Sequence, residues 1–190
     1  MPRSIFSMNE TAFDMLAKVK EYLNAHLAEK KFPKIKDMVF SIVENYELES
    51  AKTTEVFSGI PGALKELKEM NLKIALCTIS GERATEYQLD RFNLRVYFDA
   101  IITRDDVAAV KPHPAHLREV LDILNVMPQN AILVGDSVKD MSCADKLGVL
   151  TVGVITGLSS SEELINSGAH YIASSASELP KLIRQLNKAG

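Results

Sequence analysis

The sequence predicts an α/β fold, a three-layer domain with a parallel sheet between helices. Three observations predict it. Short apolar runs alternate with amphipathic stretches, as buried parallel strands alternate with the helices that connect them. Apolar residues make up 46% of the 190 residues, enough for one sizeable core in a single domain with a small insert. Helix start and stop residues fall between the apolar runs, where the alternation needs them.

The first candidate strand is Ser4 to Phe6. The others are Lys73 to Thr78, Ala100 to Thr103, Ala131 to Gly135, Thr151 to Ile155 and His170 to Ile172, each brief and apolar. Pro61 suits the first turn of a helix running to Met70, because that position has no intrahelical use for an N–H. Helical patterns follow at Glu82 to Phe92, Ala115 to Leu124 and Val138 to Leu147, the last stopped by Gly148. Ser159 to Ser161 followed by Glu162 and Glu163 is an N-cap signature for a helix to Asn166, and Glu178 to Asn187 completes the set. One stretch breaks the alternation. From Phe13 to Phe57 there is no strand pattern, only two helical ones, Met15 to Lys31 and Ile35 to Glu47, joined across Pro33. They read as a helical insert after the first strand, or as two helices packed on the core.

Composition narrows the function. A net charge of -3 gives no electrostatic reason to expect nucleic acid or an anionic membrane as partner. No apolar run approaches the ~18 residues of a membrane span. Met1 to Ser4 lead into no signal-peptide apolar region, so a cytoplasmic protein is expected. Cys77 and Cys143 lack metal-ligand spacing and read as core thiols, with a disulfide between them left open. There is no internal repeat, no Walker loop and no Gly-x-Gly-x-x-Gly, hence no sign of a nucleotide cofactor.

In parallel sheets ligands sit at the carboxyl ends of the strands, and three segments place chemistry there. Gly135-Asp136-Ser137-Val138-Lys139-Asp140 follows a strand and opens a helix, so two carboxylates four residues apart can converge on a hard cation. Val110-Lys111-Pro112-His113-Pro114 holds a lysine in a rigid turn, a fixed positive charge for a phosphoryl group, with His113 in a variable position. Leu76-Cys77-Thr78-Ile79-Ser80 ends a strand in a hydroxyl beside backbone N–H groups, which suits a phosphate oxygen.

Taken in chain order, from Leu76 to Asp140, these three segments resemble the second, third and fourth motifs of the haloacid dehalogenase-like (HAD) hydrolases. The N-terminal Ile5-Phe6-Ser7-Met8-Asn9-Glu10-Thr11-Ala12-Phe13-Asp14 resembles that family's first motif, hydrophobic-Phe-Asp-x-Asp-Gly-Thr-x-x-Asp. Phe6, Thr11 and Asp14 are in register. Ser7 and Asn9 stand where the family carries its nucleophilic and acid/base aspartates, and Glu10 replaces a glycine. The resemblance spans essentially the whole chain and is nearest the phosphoglycolate phosphatase-like branch, which Gly157-Leu158-Ser159 to Tyr171-Ile172 also resembles. It implies a Rossmann-like core from residues 1–14 and 58–190, with a short helical cap at 15–57. It implies Mg²⁺ held by Asp136, Asp140 and the Asn9 backbone carbonyl, and a phosphate or phosphorylated small molecule met by Thr78, Ile79 and Lys111. A homo-oligomer or a protein partner stays open.

The departures at Ser7 and Asn9 decide the expected activity. Losing a nucleophile costs on the order of 10⁶ in turnover. Losing an acid/base costs ~10²–10⁴ more if the two effects are independent. Hydrolysis of a phosphate monoester needs up to ~10²¹-fold acceleration. The expectation is therefore a catalytically impaired pseudophosphatase. The alternative is an active Mg²⁺-dependent phosphomonoesterase that uses Glu10 or Asp14 as a substitute carboxylate.

Overall fold

A computed structural model of the chain describes residues 12–26 and 29–189, with side chains for 15–26 and 30–188. The candidate strand Ser4 to Phe6, and with it Ser7, Asn9 and Glu10, lies outside the described residues. The chain divides into two compact units, one ending at Thr53 and one starting at Thr54.

The first unit is helical. Helix α1 spans Ala12–Ala25 and α2 spans Phe32–Thr53. Leu16, Val19 and Leu23 recur at helical spacing and are buried, which gives α1 an apolar face, and α1 packs on α2. Pro33 does not divide two helices, as its place in the sequence suggests. It lies in the first turn of α2, where its missing N–H leaves no bond unmade, and the helix continues to Thr53 rather than stopping near Glu47. Met38, Ile42 and Tyr46, each four residues apart on α2, are exposed.

The second unit alternates helix and strand. Its order is α3 (Ile60–Glu69), β1 (Ala75–Cys77), α4 (Glu82–Arg91), β2 (Ala100–Ile102), α5 (Pro114–Leu124), β3 (Ile132–Gly135), α6 (Val138–Asp145), β4 (Leu150–Val154), α7 (Ser161–Asn166), β5 (Tyr171–Ala173) and α8 (Leu179–Ala189). All pairings among the described residues are parallel. β1 pairs with β2, Ala75 opposite Ala100, and β4 lies between β3 and β5, with Val152 opposite Val134 and Tyr171. β1 is shorter than its apolar run because the Ile74 N–H is taken by the Asp99 carboxylate at 2.7 Å, and the Ile74 carbonyl by the Asp99 N–H.

Two apolar clusters cover opposite faces of the strands, which makes the layers three. One joins Ile102 and Leu133 to Leu117, Val120 and Leu121 of α5 and to Cys143 and Ala144 of α6. The other joins Val152, Val154 and Ala173 to Leu67 of α3 and Leu179 of α8. The expected caps form. Ser160 and Glu163 make a reciprocal capping box at the start of α7. Gly148, at φ 68, takes the left-handed turn after α6 that a residue with a Cβ resists. Among the described residues no helix is long and apolar enough to cross a membrane.

Leu164 of α7 is fully buried and touches β4 at Gly153, whereas Leu158 is 86% exposed. Leu164→Ala should lower the unfolding free energy by roughly 2–5 kcal/mol in urea denaturation. Leu158→Ala should change it by no more than about 0.5 kcal/mol.

Candidate functional site

The site is built at the carboxyl ends of β1 and β3, and Lys111 joins them. Its Nζ donates to the Cys77 carbonyl at 2.8 Å and to Asp140 Oδ1 at 2.6 Å. Both side chains are largely removed from water, at 13% and 6% exposure. Burial opposes the ammonium charge most, but the Asp140 carboxylate together with the other groups around it holds the lysine's pKa above its ordinary 10.5. Asp140 is fixed in turn. Its Oδ2 accepts from the Ser137 hydroxyl at 2.6 Å and the Ser137 N–H at 3.2 Å, while the Ser137 hydroxyl caps α6. Gly135 is required beneath this carboxylate, because a Cβ there would overlap the Asp140 side chain.

The lysine turn is braced from its other side. His113 caps α5, its Nδ1 accepting from the Ala115 N–H at 3.2 Å, and Pro114 opens the helix. The Lys111–Pro112 peptide is cis. His116 is fully buried; its Nδ1 lies 3.4 Å from the Lys111 N–H and its Nε2 3.4 Å from the Ile102 carbonyl. Burial, with the Lys111 charge nearby, lowers the His116 pKa and keeps the ring neutral. A neutral ring that accepts at Nδ1 donates from Nε2, so it links the lysine backbone to the end of β2.

Asp136 leaves β3 next to this pair. Its Oδ2 accepts from the Leu158 N–H at 3.1 Å and its carbonyl from the Ser159 N–H at 3.0 Å. A Cβ at Gly157 would overlap the Asp136 carboxylate, so the loop after β4 closes on it only as glycine. Thr78 leaves β1 with its N–H on the Ile102 carbonyl at 2.9 Å and its hydroxyl accepting from the Ser80 N–H at 3.1 Å. Ile79 is half-buried in the same turn. Thr78 and Ser80 border a cavity of about 410 Å³ that runs under α4.

Of the residues the sequence singles out, Lys111, Asp140 and the end of β1 are in direct contact, and Asp136 and Thr78 lie at the same strand ends. Asp140 meets Lys111 on one side and the first turn of α6 on the other. Both its oxygens are taken by protein donors, because the buried lysine and the first turn of α6 each need a carboxylate. Among the described residues no group of three or more His, Cys, Asp or Glu side chains is placed to hold a metal ion.

The sequence reading missed Gly157, whose need for a bare backbone nothing in its spacing announces. It also missed His116, a lone histidine on an apolar helix face. Ser137 carried a usable signal, since Ser-x-x-Asp before a helix is a capping box. Cys77 and Cys143 are both free thiols. Burial pushes the Cys77 thiol up to about 12 despite the nearby Lys111 charge, so it stays protonated at neutral pH.

The family model for haloacid dehalogenase-like hydrolases matches residues 6–154, and the chain belongs to that family. Pyrophosphatase PpaX of Bacillus cereus (strain G9842) is 26% identical over 156 residues, 82% of this chain and 72% of its own. A solved structure named as a predicted phosphatase from Clostridium acetobutylicum is 28% identical with a TM-score of 0.71, covering 90% of this chain and 76% of that one. CbbY from Rhodobacter sphaeroides in complex with phosphate is 25% identical with a TM-score of 0.62, covering 78% and 65%.

Lys111→Met leaves a buried Asp140 charge without its cation and should cost about 3–5 kcal/mol of stability. Adding Asp140→Asn should return part of that loss in a double-mutant cycle read by urea denaturation. A second expectation concerns pH. The Cys77 pKa is raised in the folded state, from 9.0 to about 12, so its stabilising contribution is complete below pH 9 and is lost as pH rises toward 12. The raised Lys111 pKa acts in the same direction above 10.5. Unfolding free energy should therefore fall through this alkaline window, and less steeply in Cys77→Val.

Proposed function

We propose that this haloacid dehalogenase-like chain binds phosphate or a phosphorylated small molecule at the carboxyl ends of β1 and β3, and turns it over poorly or not at all. The observation that carries the reading is the pair Ser7 and Asn9, at the motif positions where the family has its nucleophile and its acid/base. Phosphoryl transfer through such a site needs a carboxylate to attack phosphorus while the alkoxide leaves, and a second group to protonate that alkoxide. A serine hydroxyl without a base is a poor nucleophile, and an asparagine amide does not exchange the proton.

The binding half of the machinery is intact in this reading. An ammonium has three donors, and Lys111 spends two on Cys77 and Asp140, which leaves one for a phosphoryl oxygen. The Thr78 hydroxyl accepts from Ser80 and keeps its own proton for the ligand, with the Ile79 N–H beside it. Asp140 serves as the lysine's counter-ion. Asp136 is the carboxylate for Mg²⁺, and with one carboxylate that binding is weak. Residues 1–14 and 58–190 form the core in this assignment. Residues 15–57 form a cap insert that bears on substrate choice, in a protein of the cytoplasm.

A second reading is favoured by the names of the relatives, a pyrophosphatase among them. In it the chain is an active Mg²⁺-dependent phosphomonoesterase with Glu10 or Asp14 as nucleophile.

Phosphate release from a panel of small phosphomonoesters with Mg²⁺ separates the two. The proposal expects no release by the wild type and release by the Ser7→Asp/Asn9→Asp variant. Wild-type turnover that Asp136→Ala abolishes would establish the second reading instead.

A further inference from the structure

We propose that the cavity beside Thr78 seats the apolar, aryl-sized part of the phosphorylated ligand, so that the site takes an aromatic phosphomonoester in preference to a small polar one. The inference rests on the phosphate-binding role proposed above and names its substrate class. Leu76 and Thr78 share one side of the β1 run, and both line the cavity. Thr85 and Leu89 of α4, and Phe92 just past its end, face them at helical spacing. Phe98 adds a further aromatic wall.

At about 410 Å³ the space is larger than the roughly 150 Å³ that holds a benzene ring in an apolar protein interior. Thr78 and Ser80 line it where the ligand's phosphate would be, and its other uncharged polar lining residues are Thr54, Thr85 and Gln88. Among the described lining residues the one charged side chain is Glu55, which is exposed and lies 3.4 Å from Arg91. Among the described lining residues there is no lysine or arginine to neutralise a second phosphoryl group. An apolar body with one phosphate matches these surfaces, and a pyrophosphate does not.

Calorimetric titration of the full chain with methyl phosphate and with 1-naphthyl phosphate tests this. The two probes carry the same phosphate and differ in apolar area. The naphthyl ester should bind about tenfold or more tightly than the methyl ester. Val56→Trp, which fills the cavity from its rim, should abolish that preference and leave methyl phosphate binding unchanged. If Val56→Trp does not fold, Phe57→Ala, at a 60% exposed lining position, should reduce the preference. Equal affinity for the two esters in the wild type overturns the aryl subsite while the phosphate-binding role stands. A preference that persists in the variant that folds also overturns the subsite. Absence of binding by both esters overturns the phosphate-binding role and this inference together.

Discussion

Lys111 carries a positive charge into a place that water hardly reaches, and much of the α/β unit is arranged around it. An unpaired ammonium there would cost several kcal/mol or lose its proton. Asp140 at 2.6 Å and the Cys77 carbonyl at 2.8 Å prevent both. Each partner then imposes a constraint of its own. Asp140 must start a helix, so Ser137 caps it, and Gly135 must lack a side chain to admit it. The lysine backbone must be held, and His116 reaches it from inside α5. One ion pair thus ties the end of β1, in the two-stranded sheet, to the helix that follows β3, in the three-stranded one.

In the proposed reading, binding and turnover fall on different residues. The cation, the hydroxyl of Thr78 and the turn around Asp136 come from the described α/β unit and are held by hydrogen bonds within it. The groups proposed to break a phosphate ester belong to positions 7 and 9, where the sequence has serine and asparagine. On that reading, chemistry can be lost from this scaffold while the residues proposed to bind the anion stay in place. The cavity beside Thr78 extends the same logic, since an apolar body gains affinity by burial whether or not a bond is later broken.

Much of this was legible in the sequence. The five described strands fall inside or within a residue of their apolar runs, because buried parallel strands leave a period-free apolar signature. Gly148, Pro61 and the Ser160–Glu163 pair marked helix ends through backbone chemistry that is local to a few residues. Lys111 and Asp136 could be placed because prolines and a strand end fix them. What the sequence did not reveal depends on contacts distant along the chain. That Asp140 pairs with Lys111, 29 residues away, is visible only in the fold. Gly157 reads as an ordinary loop glycine until Asp136 is seen against it. His116 gave no signal, since one buried histidine on an apolar helix looks like any other core residue.

The most direct single measurement is a ³¹P NMR time course of 1-naphthyl phosphate with the wild-type protein and Mg²⁺, in which binding and turnover are both visible. The account predicts that the ester resonance broadens or shifts when protein is added and that no inorganic phosphate resonance grows in. Growth of inorganic phosphate above the protein-free rate would contradict it, and so would an ester resonance that the protein leaves unchanged.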